Sequence, residues 1–416
     1  MKPRHRVPGL LAAASVLAAA ATLLALTIGC GEEPPPSLYT DVYTPGPTPV
    51  LTSIQPTSGL AALVEMTLTG QNFIADPAKN IVFFNATPGT ILQASTTQLV
   101  VRAPLVPGDS VLVRVSAYKS DEFSNSLTVS LEAPVKDFSS FASELPWATA
   151  VDAAGNLYVS IQGSDGSARG IDRIDSTGTR TPFATMPATS PIKRFTGMKV
   201  GSGGDLYAVS PANAVWRVPA AGGVAAPWTA VSGSTLADLD FDPSGNLWTG
   251  GTISRRLYRV RPDRNVKPFP LDMDMRSIRY FSGYLYLGGK SYPDSTERVK
   301  RVQVISADSI GPVEEVLDLT ASGFAGAFVF AINVDVDGNL YVGTNLTDPI
   351  LRVPPGGGSA QIFYQGLIKP STSLLTWGNG TLLYATISTT TGTDVSPTKI
   401  VSINTLKRGA PYWGRP

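Results

Sequence analysis

A short phrase recurs six times between residues 151 and 384, and it limits what this chain can fold into more than any other feature. Its first copy is Val151-Asp152-Ala153-Ala154-Gly155-Asn156-Leu157-Tyr158-Val159. Later copies carry Gly204, Gly245, Gly283, Gly338 and Gly380, at separations of 49, 41, 38, 55 and 42 residues. Each reads as strand, tight turn, strand. Asp or Ser opens the turn, glycine supplies a positive φ, and the aromatic two or three residues later packs between repeats.

A second phrase follows each first one: Ile171–Ile174, Val215–Val218, Leu257–Val260, Val299–Val302, Ile350–Val353 and Ile400–Ile403. Five of the six carry an arginine: Arg173, Arg217, Arg259, Arg301 and Arg352. An outer strand whose arginine stem covers its neighbours accounts for this; an arginine binding site is the alternative. Fourth strands are expected at Thr181–Ala184, Ala226–Thr229, Val266–Phe269, Val313–Leu319 and Ala360–Tyr364. The sixth repeat lacks one, and Val135–Ala142 at the front can supply it, which closes the ring and leaves no free edge. A period near 40 residues with four strands is that of a propeller blade. Residues 134–410 are therefore expected to form a six-bladed β-propeller, with 411–416 as a C-terminal tail. The repeats resemble the NHL-repeat and gluconolactonase-like group of propellers, a likeness that specifies blades and says little about chemistry.

Before this region, residues 48–133 show short apolar or alternating runs: Val50–Ile54, Val64–Thr69, Ile81–Asn85, Gln98–Ala103, Val111–Ala117 and Ser126–Leu131. That spacing suits an immunoglobulin-like β-sandwich. Ser53-Ile54-Gln55-Pro56-Thr57-Ser58-Gly59, Met66–Phe73 and Val82-Phe83-Phe84-Asn85 resemble the IPT/TIG family. Gly70 is expected to make a tight bend before a buried Phe73. The resemblance implies a spacer or binding module without catalysis. The fold class is thus all-β throughout, sandwich then propeller.

The N-terminus reads as an address. Lys2, Arg4 and Arg6 precede an apolar run over residues 9–28, and the only cysteine, Cys30, ends it. Residues 1–29 form a signal peptide. Leu26-Thr27-Ile28-Gly29-Cys30 resembles the lipobox of bacterial lipoproteins, although Thr27 stands where that family prefers leucine. The resemblance implies lipidation of Cys30; a plain transmembrane anchor is the alternative. Gly31 after the cysteine favours the outer membrane by the same resemblance, on either face. Residues 30–47, rich in proline, make an extended tether.

Composition narrows the chemistry. The only histidine is His5, inside the expected leader, which excludes imidazole catalysis and histidine metal sites in the mature chain. Beyond residue 29 there are 30 basic and 32 acidic groups, so nothing argues for a nucleic-acid partner. No disulfide is possible, and a monomer is expected. Asn333–Asn339 looks like a calcium loop, but Thr344 stands where the twelfth-position glutamate belongs, and the same phrase is a turn in the other repeats. The sequons at Asn85, Asn345 and Asn379 carry little weight in a bacterial chain.

A propeller ligand sits at one mouth of the channel, lined by the loops that enter the innermost strands. The residues there are Trp147, Arg194, Asp238, Arg276, Phe328 and Lys369, a mixed ring suited to a polar ligand. Ordinary loop polarity is the bland alternative. Two functions follow. One is a non-catalytic, lipid-anchored envelope protein presenting the propeller to a protein or glycan partner. The other is a metal-dependent, lactonase-like hydrolase holding a divalent ion such as calcium through carboxylates and amides in the channel. Three or four inward carboxylates or amides around one point favour the second; scattered polar groups favour the first.

Overall fold

The computed structural model describes residues 44–139 and 141–412. Cys30, the expected leader and most of the tether lie outside these residues. The described chain is β-structure apart from two single-turn 3-10 helices, and none of its helices is long and apolar enough to cross a membrane. It divides into two compact units.

The first folded region is an immunoglobulin-like sandwich. One sheet runs Val50–Gln55, Glu65–Gln71, Gln98–Arg102, Thr90–Ala94; the other runs Ser58–Leu60, Leu127–Glu132, Gly108–Ala117, Asn80–Phe84, Thr87–Pro88. Strand side chains alternate between faces. Met66 and Leu68, Val82 and Phe84, Leu99 and Val101, and Val113 and Val115 accordingly point inward as fully buried pairs. Thr90–Ala94 was not legible as a strand because none of its residues is fully buried and the alternation is lost. The expected bend is displaced from Gly70: the positive φ falls at Asn72. Gly70 is glycine for a different reason, since a Cβ there would stand 2.0 Å from the Val50 carbonyl oxygen and 2.6 Å from the Phe73 ring.

The second region is a closed propeller of six sheets. The innermost strands of blades one to six are Glu144–Val151, Gly197–Val200, Thr235–Phe241, Met273–Phe281, Ala331–Val334 and Thr372–Trp377. Each packs against the next, and the sixth packs against the first. Val135–Ser139 pairs with Asp394–Asn404 as the outer strand of blade six, with Val135 opposite Ile403 and Lys136 opposite Ser402. First and last segments thus share one blade, as the repeats imply. Six clusters of buried side chains fill the six junctions between neighbouring blades. One example is Trp248, Leu257 and Phe269 of blade three against Met275, Ile278 and Leu285 of blade four.

The turn phrase has a physical reason. All six key glycines have positive φ, from 63° at Gly380 to 86° at Gly155. In blade three the Asp242 carboxylate accepts from Asn246 N at 3.0 Å, Asn246 Nδ2 at 2.9 Å and Trp248 Nε1 at 2.9 Å. Asp152 and Asp335 hold Asn156 with Tyr158, and Asn339 with Tyr341, in the same way. The motif lets a buried aromatic satisfy its polar tip inside its own hairpin. Burial and the adjacent Asp152 push the Tyr158 phenol up to about 12. In the calcium-like loop, the Asp335 carboxylate is committed to these turn bonds.

The strand arginines do not share one environment. Arg259 is fully buried rather than lying over an outer strand. It donates to Asp308 Oδ1 at 2.6 Å, the Ala307 carbonyl at 2.7 Å and Asn265 Oδ1 at 3.1 Å, because the long outer hairpin of blade four folds over it. Arg217 and Arg301 pair with Asp205 and Glu314.

Candidate functional site

The innermost strands set the channel. Strand register places one inner residue opposite each blade's key aromatic: Ala150, Lys199, Asp240, Arg279, Asn333 and Thr376. All six are buried. They form a mid-channel layer that is polar in five of six positions. One step toward the strand starts, Asp238 is also buried. Its Oδ2 accepts from Arg279 Nη1 at 2.7 Å, Ser277 Oγ at 3.0 Å and the Ile278 amide at 3.0 Å. Arg279 Nη2 reaches across to the Leu375 carbonyl at 3.3 Å, and Asn333 Nδ2 donates to the same oxygen at 2.9 Å. Thr149 and Thr376 share a 2.7 Å hydrogen bond. Charges removed from water need partners of this kind, and here the partners come from neighbouring blades and, for Arg279, also from blade six. The channel polar groups bind each other.

Above this layer, at the strand starts, lies a cavity of about 160 Å³. Every blade contributes a wall residue: Trp147, Thr196, Ala237, Arg276, Phe330 and Ser373. The blade-six hairpin, which turns at Gly392, reaches over it with Thr393, Val395 and Pro397. Arg194 lies 3.9 Å over the Trp147 ring, a cation–π contact, and donates to Gln162 Oε1 at 3.2 Å. Among the described residues no carboxylate pairs with Arg194, and burial alone lowers its pKa. Arg276 makes a two-pronged pair with Glu297, Nη1 to Oε2 at 3.1 Å. Glu297 Oε2 also accepts from the Val329 amide at 2.9 Å. Burial raises the Glu297 pKa, against the pull of Arg276.

Of the residues expected at this mouth, Trp147 and Arg276 lie on the cavity wall, and Arg194 is stacked on Trp147 beside it. Asp238 lies beneath them as a buried structural carboxylate. Phe328 is absent from the cavity wall; Phe330, two residues on and 6.0 Å away between ring centroids, takes that place. Lys369 is exposed and lies off the cavity wall. Phe328 and Lys369 each stand three residues before their innermost strands begin, as Arg194 does, and neither is on the cavity wall. Glu297, Arg279 and the Thr393–Pro397 hairpin went unread. Aligning the six inner strands would have exposed Arg279, since each places a polar or small residue three positions after its wall residue.

The opposite mouth holds a larger cavity of about 520 Å³, lined by Phe241, Tyr280, Phe281 and Tyr412 among others. The tail crosses this face. Gly409 bridges to Asp335, and a Cβ at Gly409 would come within 2.2 Å of Trp377. Tyr412 hydrogen-bonds the Val151 carbonyl and lies 4.8 Å from Lys199 Nζ. The wall is almost wholly apolar, and its one carboxylate, Asp242, is committed to its own turn. Among the described residues no group of three or more His, Cys, Asp or Glu is placed to hold a metal ion.

Residues 49–131 match the IPT/TIG domain family. No curated protein matches the chain in sequence. Among solved structures, a candidate phosphatase of Bacteroides thetaiotaomicron is similar over 88% of this chain and 98% of its own, at 12% identity and a TM-score of 0.56. An auxiliary nutrient binding protein of the same organism is similar over 87% and 98%, at 12% identity and a TM-score of 0.49. A catalytically inactive virginiamycin B lyase of Staphylococcus aureus is similar over 65% and 98%, at 14% identity and a TM-score of 0.47. At these identities the likeness concerns fold alone.

Proposed function

We propose that this chain is a lipid-anchored protein of the bacterial outer membrane that binds its ligand at the Trp147 mouth without transforming it. In this reading Cys30 carries the lipid, the proline-rich tether and the IPT/TIG domain act as spacer, and the propeller presents its mouth to a glycan or protein partner. The observation that carries the binding role is the state of the channel. Asp238 pairs with Arg279, Arg279 and Asn333 share the Leu375 carbonyl, Thr149 bonds Thr376, and Asp240 accepts from the Tyr280 and Phe241 amides, so the two inward carboxylates and the amide are committed within the chain. The groups turned to the mouth are an arginine on a tryptophan and an arginine on a glutamate, an arrangement suited to recognition.

The anchor is tested by fractionating cells that express the wild type or Cys30→Ser. The wild type should sediment with outer membranes and incorporate labelled fatty acid, and the variant should do neither. Equal membrane retention of the variant would overturn the anchor. The non-catalytic role is tested by metal analysis and lactone hydrolysis on purified protein. A stoichiometric divalent ion, with turnover abolished by chelation, would replace binding with hydrolysis.

A further inference from the structure

The mouth contains a charge that its own chain leaves uncompensated. Arg194 is half-buried, and its two described contacts, the Trp147 ring and Gln162 Oε1, are both neutral. Its Nε is buried with no acceptor, and so is Trp147 Nε1 beneath the guanidinium. Buried donors without acceptors are costly, and a guanidinium more so. The cavity wall holds one cation, Arg276, and no carboxylate. The remaining wall is Thr196, Ser373 and Thr393 hydroxyls among Trp147, Phe330, Leu374, Val395 and Pro397. A volume of about 160 Å³ is below the roughly 300–1,000 Å³ of pockets that enclose a drug-sized ligand, so the mouth takes one group at a time.

We propose that this mouth recognises a terminal hexuronate of an acidic glycan, its carboxylate directed to the Arg194 guanidinium, which is stacked on the cavity-wall residue Trp147. The inference rests on the binding role proposed for the mouth and names its ligand class. A planar guanidinium is the side chain best matched to a carboxylate. A pyranose ring fits the rest, with an apolar face for Phe330 and Leu374 and hydroxyls for Thr196 and Thr393. An acidic peptide would supply the carboxylate without the ring hydroxyls.

The test is calorimetric titration of the full-length protein in detergent. The probes are a galacturonate disaccharide, its neutral galactose counterpart and N-acetylglutamate amide. The uronate should bind at least tenfold more tightly than either other probe, and raised salt should weaken it. Arg194→Met, which keeps the apolar stem on Trp147, should lose about tenfold or more, the size expected for a charge-assisted hydrogen bond. Trp147→Phe keeps a smaller aromatic ring under Arg194 and weakens the platform that holds the guanidinium. It should lose severalfold while folding normally. Equal binding of galactose, or of the glutamate amide, would overturn the uronate assignment and leave the mouth as a binding site. Unchanged uronate affinity in both variants would place the ligand elsewhere. No binding by any probe, nor by a wider panel of neutral glycans, would overturn the binding role itself.

Discussion

Arg279 and Asp238 form an ion pair 2.7 Å long at the centre of the propeller, with side chains only 7% and 4% exposed. One comes from blade four and the other from blade three. The same guanidinium continues to a carbonyl of blade six, so this pair ties three blades together across the channel.

Breaking the pair from one side strands a buried charge. Asp238→Ala or Arg279→Ala should each lower stability by about 3–5 kcal/mol. The double replacement Asp238→Leu with Arg279→Met should cost less than the two singles combined. Urea unfolding of the four proteins checks this. Single variants with wild-type midpoints would contradict the channel description.

The turn motif predicts a contrast between equivalent positions. Asp242→Ala leaves the Trp248 indole N–H and the Asn246 side chain without acceptors, a loss of about 2–3 kcal/mol. Ser282 occupies the corresponding two-residue turn of blade four, where no such network exists, so Ser282→Ala should stay within about 0.5 kcal/mol of wild type. Similar effects at both sites would remove the special status of the Asp turn.

Ring closure is open to cross-linking. Lys136 and Ser402 are register partners although they are far apart in sequence. In a Cys30→Ser background, Lys136→Cys with Ser402→Cys should oxidise to one intramolecular disulfide and raise the melting temperature. Persistently free thiols under oxidising conditions would mean that the front strand does not complete blade six.

Glu297 gives a pH signature. Its folded pKa lies above its usual 4.5 because burial disfavours the carboxylate. The folded state therefore holds that proton more tightly than the unfolded chain. This contribution is present in full below pH 4.5 and is lost as pH rises through the folded value. Glu297→Gln cannot titrate there. The stability of wild type relative to this variant should therefore fall as pH rises from 4.5, and then level off. A relative stability that climbs over the same window would show that pairing with Arg276 outweighs burial.

The propeller was legible because its turn chemistry repeats. Each phrase pairs a turn glycine with an aromatic in one hairpin, held by an Asp in blades one, three and five, and that hairpin recurs at blade length. The missing outer strand was legible for a related reason, since five repeats have it and the sixth runs out of chain. The mouth was only half legible. Trp147 and Arg276 stand on the inner strands at the cavity wall, and periodicity locates them in blades one and four. In blades two, five and six longer loops precede the inner strand, so counting placed Arg194, Phe328 and Lys369 ahead of the wall residues Thr196, Phe330 and Ser373. Glu297 and the Thr393–Pro397 hairpin come from second and third strands, and only the three-dimensional arrangement brings them to the mouth. The channel layer lay hidden because Lys199, Asp240 and Arg279 look like solvent-facing polar residues of alternating strands. Register and closure turn them inward.

The most direct test of the account is to watch the Trp147 indole N–H, which has no partner within the described chain. Protein with ¹⁵N-labelled indoles is titrated with a panel of neutral and acidic oligosaccharides, and the sugars are recovered for mass analysis. The account predicts a saturable shift of the Trp147 signal with at least one glycan, lost in Arg194→Met, and recovery of that glycan unchanged. A glycan that binds while leaving the Trp147 signal in place, or one recovered chemically altered, would contradict it.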